Sequence, residues 1–524
     1  MVRRVAAVLG IDLGTSQVKA LVMDAGGEML GRGRAGYRVV SPGEGQAETD
    51  PEDWWRATVM AVRDALAEAA GAGPEIAAIA VAGQMHGVVL AAEDGTATRP
   101  AIVWLDRRAS AEAARYEELP AGLTAPLGNQ PSPGMAGPIL CWLVSHEPDA
   151  VRSARWALQP KDWLRLRLTG LAATDPTDAS GTLLFDLQRG AWAGGLIGAL
   201  GLPAGKLPEI REPTEIAGRL LPGPARELGL PHGIPVATGA ADTAAALYAA
   251  APDLTPATVA DAGMAAEAAA GPEREGGGSG GCALLIVGTG GQWVVPEAGF
   301  RPAPNTHLFR AVDAGFFRLA PLQNAGAALD WVRGLFGVTW QQLYDTAARP
   351  WRADTPVFLP YLARERWDPA TTGGWSGLTL HHQRDDLLRG ALEGVAFLIR
   401  LRLEDLRAAG HHPEAAIVGG GGATLPAWRQ LLADALGMPL HPADTSWLST
   451  VGAARTAAVA GMEGAGDTRA RSGYGRAVPV LPREPDAASA GYARFTHKLA
   501  ASEIGPIRRD ERKIQRDNHP HGRR

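Results

Sequence analysis

Two glycine turns, each entered from one short apolar run and left through another, lie about 270 residues apart and constrain this chain more than any other feature. In the first, Val5 to Ile11 is an apolar run with the length and β-branching of a buried strand, and Asp12 stands at its end. Gly14, Thr15 and Ser16 follow, and the apolar pattern resumes from Gln17 to Met23 before Asp24-Ala25-Gly26-Gly27, a hairpin signal. The turn therefore joins strand to strand. A dinucleotide fold needs a helix at that point, and a Walker A loop needs G-x-x-x-x-G-K-[ST], so both of those phosphate-binding designs are disfavoured. The same construction returns as Ala283 to Val287, then Gly288-Thr289-Gly290-Gly291, then Trp293 to Val295. One such turn per half predicts two related α/β domains facing a shared nucleotide across a cleft.

A chain of 524 residues with 46% hydrophobic content is long enough to bury two cores. A net charge of −5 gives no electrostatic footprint for nucleic acid. The two cysteines, Cys141 and Cys282, make neither a disulfide framework nor a zinc site, and a reducing compartment fits them best. Arg3 and Arg4 ahead of an apolar stretch imitate a signal peptide, but Asp12 cuts the stretch short, and no window has the length of a transmembrane helix. A soluble, cytoplasmic protein without nucleic-acid or membrane partners is expected.

Asp50 as cap and Pro51 as first residue predict a helix through Trp54 and Trp55 that ends near Gly71. A second long helix is predicted over Asp386 to Ala409, with Leu388, Ala391, Leu392, Val395, Ile399, Leu403 and Leu406 as its apolar stripe. Ala415 to Val418 reads as a strand running into Gly419 to Gly422, and Pro426 opens a helix closed by Gly437, an order that suits an anion or nucleotide. Pro272 to Gly281 and the Arg-rich tail from Arg508 have the composition of flexible segments.

Phosphoryl transfer needs a cradle for the triphosphate, a carboxylate near the metal and a group that takes or orients the attacking hydroxyl's proton. Gly14, Thr15, Ser16, Gly288, Thr289 and Gly290 offer backbone N–H groups and hydroxyls for the cradle, with Gly420 and Gly421 on the nucleotide. Either turn alone reads equally as an ordinary hairpin; their pairing favours phosphate. Asp12 is placed for magnesium, or else caps its turn, and Lys19 reaches a phosphate or is solvated. Asp242 lies among small residues, Gly239-Ala240-Ala241-Asp242-Thr243, ahead of an alanine-rich helix, and reads either as a catalytic base or as an N-cap. The helix start favours its ionised form, while closure of the cleft pushes its pKa up. Ile76 to Ala82 reads as a strand whose carboxyl end delivers Gln84, Met85 and His86, where they could meet a polyol.

In order, these motifs resemble the FGGY carbohydrate kinases, over about residues 5 to 460. Gly10-Ile11-Asp12-Leu13-Gly14-Thr15-Ser16 matches the family's opening phosphate motif, and Phe358-Leu359-Pro360-Tyr361-Leu362 and Gly373 to Gly394 follow it later. Asp50-Pro51-Glu52-Asp53-Trp54-Trp55, Ala82-Gly83-Gln84-Met85-His86-Gly87 and Pro160 to Gly170 are similar to the xylulose-phosphorylating members, the Gln-Met-His-Gly run most specifically. The resemblance implies two ribonuclease-H-like domains, of the actin and hexokinase kind, around an ATP cleft. It divides the chain into an N-terminal domain over 1–236, a C-terminal domain over 237–465 and an extension over 466–524, part of it disordered. It also implies ATP and Mg2+ as cofactors, D-xylulose as substrate, Asp242 as base, and Gln84, Met85, His86, Trp104 and Asp106 around the sugar, with a homodimer among the compatible assemblies.

The chain departs from the family pattern at several positions. Gly239-Ala240-Ala241-Asp242-Thr243 replaces Gly-Gly-Gly-Asp-Asn, and Trp104-Leu105-Asp106 replaces Trp-Asn-Asp. Ile139 stands for lysine, Gly390 for alanine or serine, Arg364 for glycine, and Pro252 to Gly281 reads as an insertion. The rival readings are a family member acting on ribulose or glycerol, which gives no reason for Gln84-Met85-His86, and an inactive actin-like nucleotide-binding protein.

Overall fold

The structure is a computed structural model, and it describes residues 5–251, 254, 281–362, 372–461 and 478–501. Most of the insertion, Arg364 and the Arg-rich tail lie outside the described residues.

The first sheet is built on β1 (Val5–Leu13), which pairs antiparallel with β2 (Gln17–Asp24), itself antiparallel to β3 (Met29–Gly36). The other edge of β1 runs parallel to β4 (Pro74–Gly83). Beyond β4 come β5 (Ile216–Arg219), β6 (Pro235–Ala237) and the two-residue β7 (Ala240–Ala241); β6 and β7 both run parallel to β4, and β5 closes the edge against β6. The second sheet repeats this plan. β8 (Cys282–Val287) pairs antiparallel with β9 (Gly291–Glu297), at whose far side lie β10 (His307–Arg310) and β11 (Phe316–Leu322), with β11 antiparallel to β9. On its other edge β8 runs parallel to β12 (Ala415–Gly419), and β12 to β13 (Leu440–Pro442). The orders β3-β2-β1-β4-β6 and β11-β9-β8-β12-β13 match strand for strand in direction, so the repeat of glycine turns is a repeat of topology.

Helix α1 (Pro51–Ala69) starts as its sequence dictates: the Asp50 carboxylate accepts the Glu52 N–H and Pro51 occupies the first turn. It lies close on β3 because Gly31 and Gly33 face it; a Cβ there would come within 2.2 and 2.0 Å of the Ala65 and Ala61 carbonyl oxygens. Two further helices, α2 (Pro160–Thr169) and the single turn α3 (Pro176–Ala179), sit at the carboxyl end of the first sheet. Between the sheets lie α4 (Asp242–Ala250) and, from the far end of the chain, α8 (Leu448–Gly461), which packs on both β1 and β4. Their alanines share one core with Val8, Leu21 and Ala80 of the first sheet and with Leu284, Val294 and Ile417 of the second.

The second lobe is completed by α5 (Gly326–Phe336), α6 (Arg384–Ala408) and α7 (Pro426–Leu436). All seven stripe positions expected on α6 are buried. The helix starts two residues earlier than its pattern suggests, because Gln383 and Asp386 form a reciprocal capping pair. Gly390 has a steric cause, since a Cβ there would lie 2.4 Å from the Pro356 carbonyl oxygen. A final helix, α9 (Pro485–Ala501), docks on the second lobe through the fully buried Phe495. Among the described residues no helix is long and apolar enough to cross a membrane.

The close approach of α4, α8 and β1 depends on two glycines. A Cβ on Gly452 would stand 1.9 Å from the Ala245 carbonyl oxygen, and one on Gly10 2.4 Å from that of Thr450. Gly452→Ala should therefore destabilise the protein by about 2 kcal/mol or more, because no rotamer relieves a backbone clash. A denaturation midpoint equal to wild type would mean that these helices do not pack as closely as described.

Candidate active site

The three parallel strands β1, β4 and β7 end side by side. Asp12 is level with Ala82, and Ala82 with Ala240; one step further Leu13 is level with Gly83, and Gly83 with Ala241. Asp242 follows at once as the first residue of α4. Sheet register alone thus brings Asp12, Asp242 and the Gln84-Met85-His86 run to one carboxyl-terminal edge, the usual ligand side of an α/β sheet.

Asp12 is buried, and its Oδ1 has no hydrogen-bond partner. Burial pushes its pKa up to about 6 against the opposing pull of Lys19, its cross-strand neighbour. Asp242 is half-buried and rises further, to about 7. Burial is the main cause and the Asp12 charge adds to it, outweighing the Thr243 N–H and hydroxyl, which reach its Oδ1 at 2.6 and 3.2 Å.

Gln84 is buried with an unpartnered Oε1, and its Nε2 is 3.4 Å from the Tyr37 hydroxyl. The Tyr37 hydroxyl donates to the Gly14 carbonyl, and burial together with Asp12 raises its pKa. Tyr37 carried no motif and was visible only through the fold. His86 takes the left-handed conformation, φ 77°, with its N–H on Gln159 Oε1 at 2.8 Å and its Nδ1 2.7 Å from the Gly181 carbonyl. Gly181 leaves room for the pair, since a Cβ there would come 2.9 Å from His86 Nδ1 and 3.0 Å from Met85 Cε. Phe309 of β10 covers His86 from the second lobe at a ring separation of 6.0 Å.

Trp104 donates its indole N–H to Thr15 Oγ1 at 2.9 Å, tying the expected sugar loop to the first glycine turn. Asp106 departs from expectation. It is wholly buried, and its carboxylate accepts the Ala47 N–H at 2.7 Å and the Arg108 backbone and guanidinium N–H groups. These bonds occupy both of its oxygens, so the side chain shapes the Trp104 turn instead of facing a sugar. Lys19 is likewise engaged, donating to the Ser446 carbonyl with its ammonium over the Trp447 ring.

The second glycine turn closes with the Gly288 N–H on the Gly290 carbonyl at 2.8 Å, and α5 begins over it, its Gly326 and Ala327 N–H groups on the Gly288 and Thr289 carbonyls. Gly420 and Gly422 lie against Val287 at the base of that turn, where a Cβ on Gly420 would be 2.2 Å from the Val287 oxygen. The lobes meet here: Gln292 of β9 reaches Thr243 Oγ1 at 3.4 Å, and Arg107 reaches Gln323 Oε1 at 2.9 Å. Of the departures around Asp242, Ala240 and Ala241 keep strand geometry, whereas the retained Gly239 is required, with φ 83° and only 2.0 Å between a Cβ and the Val81 oxygen.

Beneath this edge lies a buried charge cluster, three members of which, Lys161, Asp162 and Arg165, belong to the Pro160 to Gly170 motif, to which the sequence assigned no role. The Lys161 ammonium is 2.5, 2.8 and 3.3 Å from carboxylate oxygens of Asp162, Asp175 and Asp178, and Arg165 is 3.0 Å from Asp162, all wholly buried. Burial pulls the Lys161 pKa down, but the three carboxylates outweigh it and hold it above its ordinary value.

Models of the FGGY family of carbohydrate kinases match the chain, the N-terminal domain over residues 7–249 and the C-terminal domain over 283–461. The chain belongs to that family, and the enzyme transfers a phosphoryl group to a sugar hydroxyl. Its relatives include the xylulose kinase of Escherichia coli K12, 33% identical over 82% of this chain and 85% of that protein. The xylulose kinase of Streptomyces rubiginosus is 31% identical over 86% and 87% respectively. The crystal structure of xylulose kinase from Rhodospirillum rubrum superposes with a TM-score of 0.82 at 26% identity, covering 94% of this chain and 98% of that one.

The raised carboxylates make a thermodynamic prediction. Between the ordinary value of 3.8 and about 7, folded Asp242 holds a proton that the unfolded chain releases, so its contribution to stability falls as pH rises through that window. Asp242→Asn should raise stability by about 2 kcal/mol near pH 8 in metal-free buffer, the gain vanishing toward pH 4. Calorimetric melting at both pH values checks this; a variant less stable than wild type at pH 8 contradicts the assigned environment.

Proposed function

We propose that this enzyme phosphorylates D-xylulose to D-xylulose 5-phosphate with ATP as donor and Asp242 as general base. The observation that carries the reading is a carboxylate with a pKa near 7 at the strand-end edge where Gln84, Met85 and His86 also stand. A base poised near the working pH combines availability with driving force. Asp242 accepts the proton of the sugar hydroxyl as its oxygen bonds to the γ-phosphorus, and the bond to the ADP oxygen breaks. Gln84, Met85, His86 and Trp104 bind the sugar, with Asp106 acting one step back through the Trp104 turn. The names of the xylulose kinase relatives and the Gln-Met-His-Gly run support this choice of sugar.

Backbone N–H groups and hydroxyls of Gly14, Thr15 and Ser16 on one lobe and Gly288, Thr289 and Gly290 on the other receive the phosphates, while Gly420 and Gly421 line the nucleotide. Lys19 reaches a phosphate once it leaves Ser446. The unpartnered Asp12 Oδ1 suits a magnesium ion held through water, and among the described residues no group of three His, Cys, Asp or Glu side chains forms a cage for a metal. Bound there, the ion would offset phosphate charge. We place the domain boundary after α4 instead of at residue 237, because β7 pairs within the first sheet and the N-terminal family model runs to residue 249, and we take the cytoplasm as the location.

Asp242→Asn should lower kcat by about 10^2–10^4-fold with the sugar KM little changed. Wild-type turnover in the variant removes Asp242 as base. In a coupled ADP-release assay D-xylulose should exceed D-ribulose and glycerol in kcat/KM, and no preference among them removes the proposed sugar. The kcat/KM profile should fall on its acid side below about pH 7 as Asp242 takes up a proton, and a flat profile from pH 5 to 8 would oppose this role.

A further inference from the structure

The buried Lys161 cluster has two arms, and each ends at a different part of the site. On one side Asp175, 2.8 Å from the Lys161 ammonium, accepts the Thr177 N–H at 2.8 Å and its hydroxyl at 2.5 Å through Oδ2. The Thr177 hydroxyl then accepts the Ala241 N–H at 2.8 Å, immediately before Asp242. On the other side Gln159, which precedes α2, donates through Nε2 to the Asp178 carbonyl at 2.6 Å and accepts the His86 N–H through Oε1 at 2.8 Å. Gly83 seals the junction, since a Cβ there would lie 2.8 Å from Lys161 Cβ.

We propose that this cluster is a brace whose arms set the two halves of the site separately, Thr177 being a positioning residue for Asp242 and Gln159 one for His86. Ala241 belongs to a strand of only two residues, so the Thr177 hydroxyl anchors the carboxylate's attachment point on the side away from β4. His86 holds a left-handed backbone that a non-glycine residue disfavours, and the Gln159 carbonyl helps keep it there. The Thr177 arm starts from Asp175, 2.8 Å from an ammonium with no solvent exposure, and the Gln159 arm from the backbone of Asp178, whose carboxylate faces the same ammonium at 3.3 Å. The inference rests on Asp242 being the base and His86 a sugar contact.

The experiment compares Thr177→Val, Thr177→Ser, Gln159→Leu and Asp242→Asn by steady-state kinetics on D-xylulose, with melting temperatures alongside. Thr177→Val should lower kcat about 10–100-fold and leave the sugar KM within about threefold, because misplacing a reacting group by about 1 Å costs on that order. Thr177→Ser, which keeps the hydroxyl, should recover kcat to within about threefold of wild type. Gln159→Leu should raise the sugar KM about tenfold with a smaller change in kcat. Wild-type kcat in Thr177→Val, no recovery in Thr177→Ser, or the same constant moving in both arms overturns the brace. If Thr177→Val does not fold, Thr177→Ala carries the same expectation, and failure of both to fold makes the residue structural only and ends the inference. If Asp242→Asn itself turns over normally, the proposed base is wrong, a result distinct from an inert Thr177.

Discussion

The rest of the architecture depends on how closely two alanine-rich helices lie between the two sheets. α8 is contributed by the C-terminal half of the chain, yet it packs against β1 and β4 of the first sheet and against α4. Bulkier side chains at Gly10 or Gly452 would hold these backbones apart, and Asp242, as the first residue of α4, would move with the helix. Small residues here serve geometry more than propensity. They let backbone carry the contact, so the strand ends of both lobes arrive at one junction.

That junction is electrostatically unfavourable in isolation. Two carboxylates are raised above their ordinary values, one of them with an unpartnered oxygen, and a glutamine oxygen beside them is also unpartnered. Unpaired buried polar groups of this kind usually mark a place that a ligand completes. The surroundings must therefore hold the site in shape against its own repulsion, and they are correspondingly rigid. Asp106 is locked by Arg108 and Ala47, His86 by Gln159 and Gly181, and the three aspartates around Lys161 by one ammonium.

Much of the fold was legible because periodicity and glycine placement are local. The paired turns, the Asp50 cap with Pro51 and the stripe of α6 are each written within a few residues. The meeting of Asp12 with Asp242 was legible only through the resemblance, because it depends on β7 pairing with β4 across more than 150 residues. Asp175, Thr177 and Tyr37 escaped because nothing in their neighbourhoods distinguishes a buried polar group from an exposed one, and Lys161, although inside the Pro160 to Gly170 motif, carried no sign that it is buried. Lys161 and Arg165 sit in a helix that is buried on nearly every side. Asp106 shows a related limit: motif position places an acid beside Trp104, but does not say whether its oxygens are already taken.

The departures around Asp242 can now be separated by what the backbone needs. Gly239 alone has both a left-handed φ and a wall of backbone where its Cβ would be, so a side chain there would break the approach of the chain to Val81. Ala240 and Ala241 have strand geometry and pair with β4, so methyl groups at these positions are compatible with the loop. Thr243 keeps a hydrogen-bonding side chain, giving a hydroxyl to Asp242 and taking a bond from Gln292 of the opposite lobe. The altered motif therefore changes the lining of the site and leaves its frame intact. Replacing an asparagine amide by a shorter, β-branched hydroxyl next to Asp242 changes the hydrogen-bonding groups offered there, while Asp242 still accepts the Thr243 N–H.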